Sequence, residues 1–295
     1  LTMTDSTISG NVCRGSGCAM DAYGGYGRLT RCKIIANGLA DGTSGTGGII
    51  WDAAYVLVEN SLIAGNIGES GGGLSFYDGA LEVIGSTIAY NVTVTDVRGA
   101  GIDASNTYLT VQNSILWGNN ASGKLHGSAQ IGPTHPFDPY FTILYSCVQG
   151  WWGVYEGTGL FLLDPMFVDP EGPDGIPGTV DDDLRLSPDS PYINWGDPAF
   201  IPAEGEVDLD GQPRLQGCRV DLGAFETNTE QLPADFDGDD DIDLEDFARF
   251  QDCFHAEVHN PDWRDTCLCV FDTFEDSAVD ASDTVGFWGA MTDPG

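Results

Sequence analysis

At 295 residues the chain is long enough for a large core with one or two appended modules. Eleven Lys and Arg stand against 46 Asp and Glu, a formal charge of −35. That balance excludes the dense phosphate contacts on which nucleic-acid binding depends, and it makes cations the expected partners. No apolar run reaches the length of a membrane span.

From Leu1 to Asn119 one short pattern recurs and closes each time on an asparagine: Asn11, Asn37, Asn66, Asn91 and Asn119, spaced by 26, 29, 25 and 28 residues. Three positions before these stand Ile8, Ile34, Ile63, Ile88 and Leu116, and eight before stand Met3, Leu29, Val58, Val83 and Val111. Ser6, Cys32, Ser61, Ser86 and Ser114 stand five before, so apolar and small polar positions repeat together. A second track, Cys18-Ala19-Met20, Gly48-Ile49-Ile50, Gly73-Leu74-Ser75 and Gly101-Ile102-Asp103, keeps the same period. Short strands turned by Gly and Asn at this period describe a solenoid with one coil per repeat, a parallel β-helix. Stacked at about 4.8 Å, the asparagine amides are expected to hydrogen-bond from coil to coil. The chain opens directly on a repeat, so further coils before Leu1, or a partner against the first coil, are expected.

This pattern resembles the right-handed parallel β-helix repeat proteins of the pectate-lyase-like class. The resemblance covers roughly the first half of the chain and implies an all-β, right-handed solenoid; it says little about function. Residues 1–150 are read as β-helix coils, with Tyr145-Ser146-Cys147-Val148 as a degraded sixth coil. Residues 151–229 are read as terminal coils and a capping region, in which Trp151, Trp152, Tyr155 and Phe161 plug the open core.

The capping region carries an acidic loop from Asp164 to Leu186, in which Asp174, Asp181 and Asp183 lie among turn-forming Pro and Gly. Several carboxylates on a wrapping loop suit a hard cation such as calcium, and a solvated acidic loop is the alternative. Ser187 to Asp197 and Val207 to Glu226 follow, reading SPxIxxGD and then DxxGxPRxxGxxVDxGAxE. They resemble the ending of bacterial surface β-helix proteins known as choice-of-anchor Q domain proteins, with Asn194 and Trp195 where that pattern more often has Asp and Ala. The resemblance implies an extracellular or surface-attached protein with no single assigned reaction. Arg214 and Asp221 are expected to form an ion pair closing the last coil rather than a catalytic pair.

After a polar linker, residues 230–295 place Asp235, Asp237, Asp239, Asp243 and Asp246 at positions 1, 3, 5, 9 and 12 of a loop. Asp241 supplies the position 7 carbonyl and Ile242 the apolar position 8, as an EF-hand calcium loop requires. Phe247, Phe250 and Phe254 give the following helix one apolar face. A second loop offers Asp272, Asp276, Asp280 and Asp283, but Phe274 occupies position 3, so calcium is expected to order the first loop much more than the second. The pair of loops resembles a type I dockerin module, a small α-helical unit that binds Ca2+ and docks on a cohesin-like partner.

Eight cysteines in so acidic a chain favour an oxidising compartment, with Cys13–Cys18 and Cys253–Cys267 (or Cys269) as the expected bridges and Cys32 as a small buried residue. Parallel β-helices also host polysaccharide lyases and glycosidases. Here only Lys33 and Lys124 are lysines, Arg28 and Arg31 share one coil, and Asp21, Asp52 and Asp103 are out of step, so no catalytic set assembles. The sequence therefore favours a secreted or cell-surface protein for structure, adhesion, or polysaccharide or protein binding, with a carbohydrate-active enzyme as the alternative.

Overall fold

The computed structural model describes residues 1–40, 45–69, 71–95, 99–123, 127–132, 141–151, 157–217, 219–228, 242, 244–253, 270–271, 279 and 283–290. The chain divides into two compact units. One comprises Leu1–Asp197, Pro202–Arg214 and Val220–Thr227, and the other Pro198–Ile201, Leu215–Arg219 and Asn228–Gly295.

The first unit is a parallel β-solenoid. Each full coil carries one long strand, Met20–Thr30, Ile49–Glu59, Leu74–Ile84 or Ile102–Gln112. A three-residue strand follows, as in Lys33–Ile35, Leu62–Ala64, Thr87–Ala89 and Ile115–Trp117. A two-residue strand completes the coil, as in Gly38–Leu39, Ile67–Gly68, Val92–Thr93 and Asn120–Ala121. Each strand pairs in parallel with its counterparts one coil before and after, and Leu29, Val58, Val83 and Val111 form one register line. In the second track the expected register slips by one residue in the first copy, because Met20, not Ala19, lies opposite Ile49.

The corners explain why the repeat tolerates so many residue types there. The residue before each serine-line position has positive φ, whether it is Asp5, Arg31, Asn60, Gly85, Asn113 or Tyr145. Non-glycine residues resist that conformation, so something outside the residue must hold it. The serine line does so in coil after coil. The Ser86 hydroxyl donates to the Ile84 carbonyl at 2.9 Å and accepts the Ser61 backbone N–H at 3.1 Å. Cys32 donates its N–H to the Ser61 hydroxyl, and Ser114 donates to Ser146, which makes Ser146 the sixth-coil member.

The asparagine line does the same at the next corner with fully buried amides. The Asn66 side-chain oxygen accepts the backbone N–H of Asn37 at 3.0 Å and its side-chain amide at 2.9 Å. Its own amide donates to Asn91 and to the Ile34 carbonyl, both at 2.9 Å. The ladder ends on Gln130, in the short helix Gly127–Gln130, whose side chain accepts from Asn119 at 2.6 Å and donates to the Asn119 carbonyl at 3.0 Å.

Inside lies one apolar cluster built from Leu29, Ile34, Val58, Ile63, Val83, Ile88, Leu109 and Leu116 with their stacked neighbours. Trp51 fills it beside Gly27, where any Cβ would overlap the indole. At the sixth coil Trp151 is buried in this cluster and stacks on Phe141 at 6.2 Å, so it plugs the core as expected. Phe161 does not: it packs in a second cluster against Tyr192 and Trp195. Trp152 and Tyr155 lie outside the described residues.

That second cluster sits on the outer side of the three-residue strands. Their central residues point inward, while Ile35, Leu62, Ala64, Ala89, Ile115 and Cys147 point outward and are buried by Phe167, Leu184, Leu186, Tyr192, Leu222, Ala224 and Phe225. The terminal segment therefore runs as a strap across the side of successive coils instead of only closing the last one. It engages the Asn60 amide through Glu206 at 3.0 Å, the Thr87 hydroxyl through the Ala224 N–H at 3.0 Å and the Asn113 side chain through the Asp197 N–H at 2.7 Å.

In the second unit, helices Leu244–Cys253 and Asp283–Ala290 contribute to a cluster of Ile242, Phe250, Cys253, Val270, Phe271, Val279 and Phe287. Phe250 and Phe287 stack at 5.1 Å. Phe254 lies outside the described residues.

Asn91→Ala removes the acceptor of two Asn66 donors and a donor to the Ile63 carbonyl. It should cost about 3 kcal/mol or more, because buried groups are left unpaired. Asn11→Ala, at the exposed end of the ladder, should cost well under half as much. Urea unfolding of the whole chain checks the ordering; equal costs would mean that the ladder does not hold the corners.

Candidate functional site

The outer face of the long-strand sheet is one part of the solenoid that the strap leaves open, and its side chains follow a period-2 alternation on either side of a positive-φ corner at Gly24–Gly25, Asp78–Gly79 and Asn106. Tyr26, Tyr55, Ala80 and Tyr108 form one outward register line. Tyr26 and Tyr108 are 79% and 59% exposed, and Tyr23 is exposed beside them. The Tyr26 and Tyr55 rings lie 6.0 Å apart. Ala80 leaves a gap between Tyr55 and Tyr108, and the depression there is lined by Asp78, Gly79, Ala80, Asn106 and Tyr108. Gly79 is required at its floor, since a Cβ would overlap the Ala54 carbonyl.

Polar groups at the gap are already oriented. Asn106 donates to one Asp78 oxygen at 2.5 Å, and the Tyr55 hydroxyl donates to one Glu82 oxygen at 2.6 Å. The bond to Glu82 pushes the Tyr55 hydroxyl up to about 12, so it remains a neutral donor. Arg28, on the same face, is engaged by Glu59 at 2.7 Å. Asp21 and Asp103 share a register line three coils apart, Asp103 is buried, and Asp52 lies two positions further along its strand. Among the described residues these groups form no acid and base pair flanking one point. What the face offers is aromatic surface with hydrogen-bonding carboxylate and amide edges.

The acidic loop draws Asp174, Asp181 and Asp182 together, with one oxygen of each within 4.8 Å of the others. Asp182 stands where Asp183 was expected; Asp183 instead pairs with Arg185 at 2.9 Å. The turn explains the exchange. Asp182 accepts the N–H groups of Gly178 at 2.5 Å and Thr179 at 3.0 Å, which turns it into the loop, and burial pushes its pKa up despite those bonds. Three carboxylates converging on a turn are a donor set that suits a hard cation.

Arg214 and Asp221 are not each other's partners through their side chains. Arg214, 1% exposed, donates to the Glu226 carboxylate at 2.5 Å and to the Asp221 and Gly223 carbonyls at 3.1 and 3.0 Å. The Asp221 carboxylate accepts the N–H groups of Asn194 and Thr227, each at 2.7 Å. Asp208 accepts from Asp210, Gln212 and Glu226. The cluster is a buried clasp that folds the strap on itself, and sequence spacing alone could not choose between Asp221 and Glu226 as the counter-ion. Burial pushes Asp221 up to about 6 and raises Glu226, with Arg214 opposing the rise in both.

In the second unit positions 8 and 12 of the two expected calcium loops are described, and all four residues there are buried. Ile242 and Val279, both at position 8, share one apolar cluster, and Asp246 and Asp283, both at position 12, are buried. Asp235, Asp237, Asp239, Asp241, Asp243, Asp272, Asp276 and Asp280 lie outside the described residues. Cys13 and Cys18 are joined by a disulfide, and Cys253 is disulfide-bonded, while Cys267 lies outside the described residues. Cys32 and Cys147 are free and buried. Among the described residues no helix is long and apolar enough to cross a membrane.

Residues 1–132 match the family described as the right handed beta helix region. No curated protein and no solved structure matches the chain. The stacked coils and this match together support a right-handed β-helix repeat over this part of the chain.

The clasp sets a pH dependence. Asp221 has a higher pKa folded, about 6, than its ordinary 3.8, so the native state binds its proton more tightly than the unfolded state does. Its contribution to stability is best below about pH 4 and falls as pH rises through about 6, and raised Glu226 extends the loss upward. Thermal unfolding should show a midpoint that drops across that window. Arg214→Met should lower stability by about 2–3 kcal/mol at neutral pH, because Glu226 and the Asp221 and Gly223 carbonyls lose their buried donor. A flat profile together with a harmless Arg214→Met would refute the clasp.

Proposed function

We propose that this is an extracellular or cell-surface β-helix protein whose open long-strand face binds polysaccharide. The observation that carries this is the exposed row Tyr26, Tyr55 and Tyr108, in register and interrupted by one gap. Aromatic faces stack on the apolar faces of sugar rings, and nearby carboxylates and amides such as Asp78, Glu82 and Asn106 bond to hydroxyls. Consecutive coils repeat at about 4.8 Å, so a glycan lying along the solenoid axis meets the same chemistry several times. The Cys13–Cys18 disulfide and the charge of −35 support a site of action outside the cytoplasm. The ending similar to choice-of-anchor Q domain proteins supports attachment at a surface.

Affinity electrophoresis of the whole chain in gels containing neutral polysaccharides should show retardation. Tyr26→Ala and Tyr108→Ala should each weaken binding about three- to tenfold. Retardation by none of a broad panel, or retardation indifferent to both substitutions, would refute the binding face.

The C-terminal unit is, in the same proposal, a dockerin-like module that binds Ca2+ and docks a cohesin-like or other surface protein. Its support is the match of Ile242 and Val279, and of Asp246 and Asp283, to corresponding loop positions. Asp235, Asp237, Asp239, Asp243 and Asp246 with the Asp241 carbonyl would hold the ion in the first loop; Asp174, Asp181 and Asp182 are the candidate set in the solenoid unit. Calorimetric titration of the whole chain with calcium should lose its strongest site in Asp235→Ala and change little in Asp272→Ala. Equal effects of the two substitutions would contradict the asymmetry set by Phe274.

A further inference from the structure

Resting on the polysaccharide reading of the tyrosine face, we infer that the gap at Ala80 selects a cationic amino-sugar polymer, of the de-N-acetylated glucosamine class. The gap is one coil wide. Tyr55 and Tyr108 stand on register-matched positions one coil to either side of Ala80, about 9.6 Å apart, and the depression between is lined by Asp78, Gly79, Ala80, Asn106 and Tyr108. A sugar ring seated over Ala80 therefore has an aromatic neighbour along the axis on either side.

The charge around that seat decides what kind of sugar fits. Among the described residues the outer face of the long strands carries Asp21, Asp52, Glu59, Asp78 and Glu82 against Arg28, which Glu59 already binds. Each of the two acids nearest the gap is oriented through a single oxygen. Asp78 takes Asn106 on Oδ1, and Glu82 takes the Tyr55 hydroxyl on Oε1. Asp78 Oδ2 and Glu82 Oε2 remain as acceptors of fixed direction. A uronic-acid or sulfated polymer is repelled by this lining. A neutral glycan forms ordinary hydrogen bonds to it. An ammonium substituent forms charge-assisted bonds to the carboxylates and a cation–π contact with the flanking rings. The excess of acid over the whole chain, −35, draws a polycation toward the face before contact. A basic peptide shares the charge but not the flat rings that the tyrosine spacing serves.

The test titrates the whole chain at about pH 5.5, where a free sugar amine is protonated, with a glucosamine hexamer, its N-acetylated counterpart, an oligogalacturonate and polylysine. The free-amine hexamer should bind about tenfold tighter than the N-acetylated one, and the galacturonate not at all. Ala80→Tyr, which continues the tyrosine row of the adjoining coils, should abolish binding of both hexamers. Asp78→Asn, which keeps a residue tolerant of the positive φ of 53°, should weaken the free-amine hexamer much more than the N-acetylated one and so remove the preference for the amine. N-acetylated binding as tight as the amine's, still sensitive to Tyr26→Ala, would overturn the selectivity while leaving the polysaccharide reading intact. An amine preference unmoved by both Asp78→Asn and Ala80→Tyr, with polylysine competing equally, would overturn it as mere charge attraction. Binding of none of the sugars would count against the polysaccharide reading itself.

Discussion

The fold rests on hydrogen bonds that run along the solenoid axis through buried side chains. Besides the bend within each long strand, a coil of this kind has two sharp corners where non-glycine residues such as Arg31, Ala36, Tyr90 and Tyr145 adopt positive φ. No local preference holds them there. The serine and asparagine lines do, because each side chain presents an acceptor to the backbone N–H of the coil before it, and each serine also bonds its own corner. The arrangement is cooperative by construction: an asparagine in the middle of the ladder is worth more than one at its end. It also frees the outward positions of the long strands from structural duty, so that they can carry tyrosines and acids.

The strap supplies the second constraint. The three-residue strands are apolar on both faces, which a bare solenoid in water could not sustain. The terminal segment covers the outer face from Ile35 to Cys147, and the Arg214–Glu226 clasp keeps that segment folded. Phe225 lies between two cations, with Arg185 at 5.2 Å and Lys33 at 5.9 Å from its ring centroid, which ties the strap to the second coil as well. One side of the solenoid is thus closed, and the long-strand face is left open.

How much of this is legible in the sequence differs from one element to the next. The β-helix and both polar lines can be read directly, because position and chemistry recur together at one period. The strap was also announced, by Leu62, Ala64, Ala89 and Ile115, apolar residues on both sides of each inward Ile or Leu; that signal is readable only once the strand is known to be three residues long. Counter-ion choice at Arg214 and the exchange of Asp183 for Asp182 turn on which way a carboxylate points in a tight turn, and composition carries no such information. The tyrosine row escaped notice for a different reason. Tyr26, Tyr55 and Tyr108 are not at a constant spacing, 29 and then 53 residues with Ala80 between, so only the strand register brings them into line.

The central claim is that the open long-strand face, and not the closed side or the acidic module, is where this protein meets its ligand. Hydrogen–deuterium exchange of the whole chain with and without a bound glycan tests it most directly. The account predicts added protection confined to peptides covering the long strands Met20–Thr30, Ile49–Glu59, Leu74–Ile84 and Ile102–Gln112. Protection appearing instead in residues 184–227 or 230–295, with those strands unchanged, would contradict it.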